Sequence, residues 1–170
     1  MCEKRVYSEE DLRQRVSELG KQITADYDGR ELILIGVLKG SLFFLSDLAR
    51  AINLPLQIDL ISIGFYPNST GRTGAVRLTK DLDSDIAGKH VLIIEDIIRS
   101  GLTTGYLLQN LETRGAASIK ICTLLLSPEE QLINIPVEYV GFEVSKARFL
   151  GYGLDVDEKG RNLPYIAEIT

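Results

Sequence analysis

Two adjacent acids, Glu95 and Asp96, follow an apolar run at residues 91–94. The run is rich in β-branched side chains, which predicts a strand buried on both faces of a parallel sheet. Open α/β sheets bind their ligands at the carboxyl ends of such strands. Two neighbouring carboxylates at that edge can accept hydrogen bonds from a vicinal diol, such as the 2′- and 3′-hydroxyls of a ribose.

The residues after the acid pair have the composition of a phosphate-binding loop. Ser100, Thr103 and Thr104 carry hydroxyls, Gly101 adds flexibility, and Leu102 contributes its backbone N–H. Leucines at helical spacing follow, so the loop is expected at a helix N-terminus, where N–H groups and the helix dipole favour phosphate. An acid pair alone is more often a solvated strand end, but these groups come in the order that a ribose 5-phosphate requires.

Composition narrows the class of protein. The chain has 170 residues, 45% hydrophobic and 25% charged, which suits a single domain spanning residues 1–170. A net charge of −5 argues against a nucleic-acid partner. No apolar run approaches the roughly 18 residues of a membrane span, and the N-terminus lacks a signal peptide's apolar core. Cys2 and Cys122 show no framework spacing, which favours a cytoplasmic location.

Apolar runs alternate with helical patterns along the chain. Strands are expected at residues 32–37, 56–64, 118–126 and 139–144, and helices after Ser8 and at residues 42–51. Residues 65–75 hold prolines, glycines and small polar residues, which predict a long mobile loop. The alternation predicts an α/β fold with a central, mostly parallel sheet flanked by helices.

Two further positions carry residues suited to a pyrophosphate and a metal. Lys39 and Gly40 follow the first core strand, where a lysine on a glycine turn can meet pyrophosphate with charge and with backbone. Asp155 lies in a glycine-rich segment near the C-terminus. A hard carboxylate near a pyrophosphate suits Mg²⁺, which is usually held by few carboxylates together with substrate oxygens.

Several motifs in order resemble the type I phosphoribosyltransferases, and among them most of all the hypoxanthine-guanine phosphoribosyltransferases. They are Leu38-Lys39-Gly40, Tyr66-Pro67-Asn68-Ser69-Thr70, Glu95-Asp96-Ile97-Ile98, Val140-Gly141-Phe142-Glu143, Gly151-Tyr152-Gly153-Leu154-Asp155 and Arg161-Asn162-Leu163-Pro164. The resemblance implies transfer of 5-phosphoribose from phosphoribosyl pyrophosphate to a purine, with Mg²⁺. It also implies a small hood built from the chain ends and a homodimer or homotetramer.

The same resemblance assigns roles to individual residues. It implies that the turn after the first core strand lines the pyrophosphate pocket, that Arg161 contacts pyrophosphate and that Asp155 is associated with the metal. It implies that residues 65–75 form a lid over the reacting ribose. The family usually begins this lid with Ser-Tyr, where this chain has Phe65 and Tyr66.

Three base-side positions depart from the family's pattern. Arg99 stands where the family has an aspartate that acts as the acid–base partner of purine N7, and arginine keeps its proton near neutral pH. Ser127 stands where the family usually has a lysine that reaches the 6-oxo group. Arg148, with Phe149 next to it, stands where an aromatic ring usually stacks on the base.

These departures leave alternatives to purine transfer. One is a non-catalytic sensor of a nucleotide or of phosphoribosyl pyrophosphate, which would bind its ligand without turnover. Another is a transferase for a different base, one that carries an acidic group, since Arg99 and Arg148 would favour an anion if both face the pocket.

Overall fold

The computed structural model describes the backbone of residues 3–67 and 74–169 and the side chains of residues 3–64 and 76–169. Three helices and nine strands are present in this part of the chain. The helices are α1 (Glu9–Asp26), α2 (Leu42–Ala51) and α3 (Leu102–Glu112). The strands are β1 (Glu3–Tyr7), β2 (Leu32–Leu38), β3 (Leu56–Pro67), β4 (Gly74–Lys80), β5 (His90–Ile98), β6 (Ser118–Leu126), β7 (Tyr139–Glu143), β8 (Arg148–Leu150) and β9 (Ile166–Ile169).

The main sheet has six strands in the order β4-β3-β2-β5-β6-β7. All neighbouring pairs are parallel except β3 and β4, so a parallel sheet carries one antiparallel edge strand. The predicted α/β class with a mostly parallel sheet is confirmed. Parallel connections require crossovers, and the helices provide them on the sheet faces.

The smaller sheet is antiparallel, with the order β1-β9-β8. It joins the first described strand to the last one, with Glu3 opposite Ile169 and Arg5 opposite Ala167. Strand β8 adds to the other side of β9. The predicted hood from the chain ends is therefore present, although the sequence did not indicate that it is a sheet.

Apolar side chains cover both faces of the main sheet. Along β2, Leu32 and Leu34 belong to the cluster under α1 and α2, whereas Ile33 and Ile35 belong to the cluster under α3. The same alternation in β5 is expected of a strand buried on both faces. This two-sided burial holds the carboxyl ends of β2 and β5 in fixed positions, where the candidate site lies.

The helices begin and end where their sequences indicate. Ser8 and Asp11 form a capping box at the start of α1, with Asp11 N donating to Ser8 Oγ at 3.1 Å and Ser8 N donating to Asp11 Oδ2 at 2.8 Å. Helix α2 has the predicted bounds. Within the described residues, no helix combines the length and the apolar character that a membrane span requires.

The loop expected at residues 65–75 was wrong at both of its ends. The loop expected at residues 65–75 is strand at both ends, because β3 continues to Pro67 and β4 begins at Gly74. Backbone pairing of Phe65 with Val76 explains how a Pro- and Gly-containing segment remains extended on an edge strand. The middle of the expected lid, residues 68–73, and the side chains of Phe65 and Tyr66 lie outside the described part of the chain.

Candidate functional site

The candidate site lies where the strand order of the main sheet reverses. Strand β2 pairs with β3 on one side and with β5 on the other, so the chain leaves β2 in one direction and later returns to its opposite edge. Such a switch point opens a crevice at the carboxyl ends of the strands. The Lys39-Gly40 turn follows β2 at this crevice, and the acid pair lies in the last part of β5.

The two acids lie within β5, which runs to Ile98 and not only to residue 94 as the apolar run indicated. Glu95 is buried and accepts a hydrogen bond from the Thr104 hydroxyl at 3.4 Å. Asp96 accepts a hydrogen bond from Ile97 N at 2.8 Å. Both carboxylates nevertheless line one cavity of about 260 Å³, so the pairing expected from sequence is present as a shared surface.

Burial changes the protonation of both acids. It raises the pKa of the Glu95 carboxyl well above its usual range, and the neighbouring Asp96 charge adds to the rise. It also raises the pKa of the Asp96 carboxyl, which the hydrogen bond from Ile97 N counteracts in part. A ligand that supplies hydroxyl donors or a cation would favour the charged forms and would therefore release protons on binding.

The predicted phosphate loop leads into helix α3. Gly101 precedes the helix in the left-handed region at φ 80°, which glycine adopts without strain. The first helical turn has no acidic residue, and its Leu102 N donates to Ser100 Oγ at 3.3 Å. The N-terminus of α3 therefore lies next to the cavity with a dipole that favours an anion. Ser100, Thr103 and Thr104 line the cavity, whereas the Leu102 side chain is exposed and does not.

The Lys39-Gly40 turn is packed tightly between two parts of the site. A Cβ atom on Gly40 would lie 1.6 Å from Asp96 Oδ2, and a Cβ atom on Gly153 would lie 1.9 Å from Gly40 O. At Gly153 the obstacle is backbone, so no side chain fits there, and a side chain at Gly40 would displace the Asp96 carboxylate. The turn after β2 is thereby held in contact with the acid pair on one side and with the Gly151–Asp155 segment on the other.

Arg161, Asp155 and Lys39 are brought together by a residue that sequence reasoning missed. Glu158 accepts from Lys39 Nζ at 2.7 Å and from Arg161 Nη2 at 3.2 Å. Arg161 also pairs with Asp155 at 2.9 Å and donates to Gly153 O at 2.7 Å. Its Nε is buried without a hydrogen-bond partner among the residues that the structure describes. The three predicted residues thus form one charged surface.

Arg99 also lines a second cavity of about 510 Å³. Its Nη1 donates to Glu130 at 2.5 Å, and its Nη2 donates to the Ala147 carbonyl oxygen at 2.7 Å. The guanidinium carbon lies 5.9 Å from the ring centroid of Phe149. Arg99 lines both cavities, so the acid-pair cavity and the second cavity adjoin at this side chain.

The other base-side candidates divide into two groups. Arg148 and Phe149 line the second cavity, so the expectation that Arg99 and Arg148 could face one pocket agrees with the geometry. Ser127 is fully buried and does not line it. Within the described part of the chain its hydroxyl makes no hydrogen bond of good geometry, although it lies near the Glu130 carboxylate.

Glu130 and Glu158 were both missed at the sequence level. Glu158 follows Asp155 by three residues and precedes Arg161 by three, a spacing that gives no sign of a shared partner for Lys39. Glu130 follows Pro128 in a single 3-10 turn, 31 residues from Arg99. Nothing in the local sequence connects these two residues, and such long-range ion pairs require the fold.

Comparison with known proteins agrees with this geometry. Residues 4–157 match the model of the phosphoribosyl transferase domain family. A hypoxanthine-guanine phosphoribosyltransferase of Bacillus subtilis (strain 168) is 47% identical over 164 residues, covering 96% of this chain and 91% of that protein. The Mycobacterium avium protein of the same name is 45% identical over 166 residues, covering 94% and 82%.

Solved structures give the same result. A crystal structure of a hypoxanthine-guanine phosphoribosyltransferase from Bacillus anthracis, with a HEPES molecule in its active site, superposes with a TM-score of 0.93 at 44% identity and covers 98% of each chain. The motifs, the fold and the relatives point to one conclusion. The chain belongs to the phosphoribosyl transferase domain family and is most similar in kind to its hypoxanthine-guanine members.

Proposed function

We propose that this protein is an enzyme of purine salvage that transfers 5-phosphoribose from phosphoribosyl pyrophosphate to hypoxanthine or guanine. The products are the nucleoside monophosphate and pyrophosphate. The observation that supports this most is the cavity that contains both Glu95 and Asp96 at the N-terminus of α3. Two carboxylates that can accept hydrogen bonds from hydroxyls line this cavity next to the N-terminus of α3, which supports the activity in the relatives' names.

In this proposal Glu95 and Asp96 accept hydrogen bonds from the ribose hydroxyls. Residues 100–104 bind the 5-phosphate through backbone N–H groups and hydroxyls, helped by the dipole of α3. Lys39, Gly40 and Arg161 bind the pyrophosphate. The unpartnered, buried Nε of Arg161 supports this role, because a buried donor without a partner is costly unless a ligand satisfies it.

The reaction exchanges one bond for another at C1′ of the ribose. A ring nitrogen of the base forms its bond to C1′ while the bond from C1′ to the pyrophosphate oxygen breaks, and the electron pair leaves with pyrophosphate. An arginine cannot accept a proton near neutral pH, so the proton displaced from the ring nitrogen leaves with the departing pyrophosphate and reaches the solvent after release. Closure of residues 65–75 over the ribose, with Phe65 and Tyr66 at the start of this lid, would exclude water from the reacting carbon.

The donor set also fits Mg²⁺. Gly40 packs against Asp96 on one side and against Gly153 on the other, so Asp96 and the segment that carries Asp155 flank one turn. No cluster of three or more ligand side chains occurs in the described residues, and Mg²⁺ with a phosphate substrate needs only one or two. Asp155, with Asp96 near it, would hold the ion, which when bound would neutralise charge on the departing pyrophosphate.

The same proposal covers the organisation of the protein. One domain spanning residues 1–170 is supported by the hood, since Phe149 and Ile166 pack in the same cluster as β2 and β5.

A homodimer or homotetramer is supported by the exposed Leu42 and Phe43 on α2, and light scattering tests it. A cytoplasmic location is supported by Cys122, a free and buried cysteine.

The test is product formation from phosphoribosyl pyrophosphate and Mg²⁺ with hypoxanthine, guanine, adenine or an acidic base such as orotate. We expect hypoxanthine and guanine to give nucleotide and pyrophosphate in equal amounts. Turnover with the acidic base alone would replace the purine assignment and would agree with the cations Arg99, Lys146 and Arg148 around the second cavity. Absence of turnover with every base would overturn the enzyme proposal.

One observation favours a second candidate function, a sensor that binds phosphoribosyl pyrophosphate or a nucleotide without turnover. Arg99 fills the position of the family's acid–base aspartate and is held by Glu130 and the Ala147 carbonyl. A sensor predicts saturable binding of these ligands in the same preparation that fails to form product. Binding together with product formation would exclude it.

A further inference from the structure

Arg99 lies at the boundary between the two cavities of the site. It lines the acid-pair cavity and also the second cavity, which Phe149 and Glu130 line as well. If the first cavity holds the phosphoribosyl group, as proposed above, then a base bonded to its C1′ must extend past Arg99 into the second. Any base that reacts therefore comes into contact with the Arg99 guanidinium.

The guanidinium is held in one orientation. Glu130 accepts from Nη1, the Ala147 carbonyl accepts from Nη2, and the Phe149 ring lies beside the group. A guanidinium has five N–H donors in a rigid plane, so these two contacts leave three of them for a ligand. The Arg99 side chain remains 34% exposed, which leaves part of its donor edge accessible from the cavities.

The ion pair persists at neutral pH. Burial raises the pKa of the Glu130 carboxyl, but the nearby Ser127 hydroxyl and the Arg99 guanidinium lower it more, so the pKa ends below its usual value. Glu130 is therefore a carboxylate whenever the protein is near neutral pH. Its charge fixes the Arg99 plane and reduces the positive charge that a neutral base would meet.

We propose that Arg99 selects the base by donating hydrogen bonds to two adjacent acceptors on one edge, with Glu130 as its positioning residue. A 6-oxopurine presents such an edge through N7 and its 6-oxygen, and paired donation by arginine to these two atoms is a common mode of recognition. A 6-aminopurine presents a donor in place of the 6-oxygen, which opposes the guanidinium. The inference rests on the proposed function and names the residue that determines its specificity.

An aspartate at position 99 could not donate the two hydrogen bonds that Arg99 donates in this proposal. A carboxylate accepts a proton from protonated N7, whereas a guanidinium requires N7 to be an unprotonated acceptor. Nucleotides whose N7 is replaced by carbon should then bind weakly. The 7-deaza analogue of GMP keeps the 6-oxygen and the rest of the base, so it isolates the N7 contact.

Calorimetric titration of the full chain with GMP, AMP and 7-deaza-GMP tests the proposal. We expect the wild-type protein to bind GMP about 10- to 100-fold more tightly than either analogue, the range for a good paired contact. Arg99→Met should bring the three affinities within about threefold of one another, since it removes every donor. Arg99→Lys should retain an intermediate preference, because an ammonium cannot match two acceptors in a fixed plane.

Glu130→Gln tests the positioning role. The preference for GMP over 7-deaza-GMP should fall by less than in Arg99→Met, and the KM for guanine should rise more than kcat falls. If Glu130 only holds the fold together, Glu130→Gln lowers thermal stability and leaves that preference unchanged. The matched control is Arg114→Met, which breaks a partly buried ion pair with Asp81 remote from the site and should leave all three affinities unchanged.

The outcomes separate this inference from the proposed function. An Arg99→Met protein that keeps the wild-type preference for GMP overturns the inference while leaving phosphoribosyl transfer intact. If that variant does not fold, equal affinity of the wild-type protein for GMP and 7-deaza-GMP overturns it alone. Failure of the wild-type protein to bind phosphoribosyl pyrophosphate would instead overturn the proposed function.

Discussion

The two cavities that meet at Arg99 are built in different ways. The acid-pair cavity is formed by one continuous segment, residues 95–104, which passes from β5 into α3. The second cavity is assembled from Arg99, Glu130 and residues 146–149, with Asp155 at its edge. The second cavity includes Arg99 and Arg148, two of the three positions that depart from the family's usual pattern, whereas the third, Ser127, is buried outside it. The first cavity therefore depends mainly on one stretch of sequence, and the second depends on how separate segments pack.

The electrostatics of the two cavities differ in the same way. Burial, together with the neighbouring Asp96 charge, raises the pKa of Glu95 and so disfavours its charged form in the absence of a ligand. Arg99 is balanced within the protein by Glu130. The acid-pair cavity therefore favours ligands that donate hydrogen bonds or carry positive charge. In the second cavity the charge of Arg99 is already paired with Glu130. Variants in each cavity should have distinguishable effects.

The largest effect is expected from Asp96→Asn in the acid-pair cavity. The change removes a charged acceptor for a ribose hydroxyl and should lower kcat/KM for phosphoribosyl pyrophosphate roughly 10- to 100-fold, the range for a hydrogen bond to a charged group. Steady-state kinetics at saturating guanine measure it. A decrease below about twofold would contradict the assignment of the ribose to this cavity.

The next effect is expected from Gly40→Ala. Its Cβ would overlap Asp96 Oδ2, so the turn or the Asp96 carboxylate must shift, at a cost of about 1–3 kcal/mol in the free energy of unfolding. Denaturant unfolding and calorimetry should show lower stability together with weaker binding of phosphoribosyl pyrophosphate.

Gly29→Ala is the matched control for this variant. Gly29 has φ +70° and nothing within 4 Å of a Cβ atom, so alanine there adds backbone strain of about 1 kcal/mol without touching the site. Its binding should equal that of the wild-type protein. Equal loss of binding in both glycine variants would mean that general instability, and not the turn geometry, causes the loss.

A third effect is expected in the way the free energy of unfolding depends on pH. Because burial raises the pKa of Glu95, its charge opposes folding, and the protein loses this part of its stability as pH rises through the raised pKa. Glu95→Gln should therefore stabilise the empty protein near neutral pH. The gain should vanish below about 4.5, the ordinary pKa of a glutamate. Urea unfolding at several pH values measures it, and a constant difference would contradict the burial argument.

The smallest effect is expected from Glu158→Gln. The Lys39–Glu158 pair is largely exposed, and such pairs contribute little. Pyrophosphate must displace Glu158 from Lys39 and Arg161, so the variant should bind pyrophosphate with Mg²⁺ roughly two- to fivefold more tightly. Titration at low ionic strength measures this, and weaker binding would mean that Glu158 supports the subsite instead of competing for it.

Sequence patterns predicted the elements with strong local patterns. The apolar run of β2 and the bounds of α2 followed from hydrophobic spacing, and the Ser8–Asp11 cap followed from its composition. Residues 65–67 were expected in a loop because Pro67 and the glycines beyond it usually end strands. They lie in β3 because pairing with β4 supplies the backbone hydrogen bonds that local preference does not.

The site was predictable to the same degree. Ser100, Gly101, Thr103 and Thr104, which follow the acid pair in sequence, line the same cavity as the two acids. Glu130 reaches Arg99 and Glu158 reaches Lys39 across separations of 31 and 119 residues. Such contacts depend on how β5, the 3-10 turn and the C-terminal segment pack, which no local pattern encodes.

The most direct test of the account is calorimetric titration of phosphoribosyl pyrophosphate with Mg²⁺ into the wild-type, Asp96→Asn and Arg99→Met proteins. If the two cavities are separate parts of one site, Asp96→Asn should lose most of the affinity, while Arg99→Met should bind within about twofold of the wild-type protein. Equal loss of affinity in both variants, or no binding by the wild-type protein, would contradict the account.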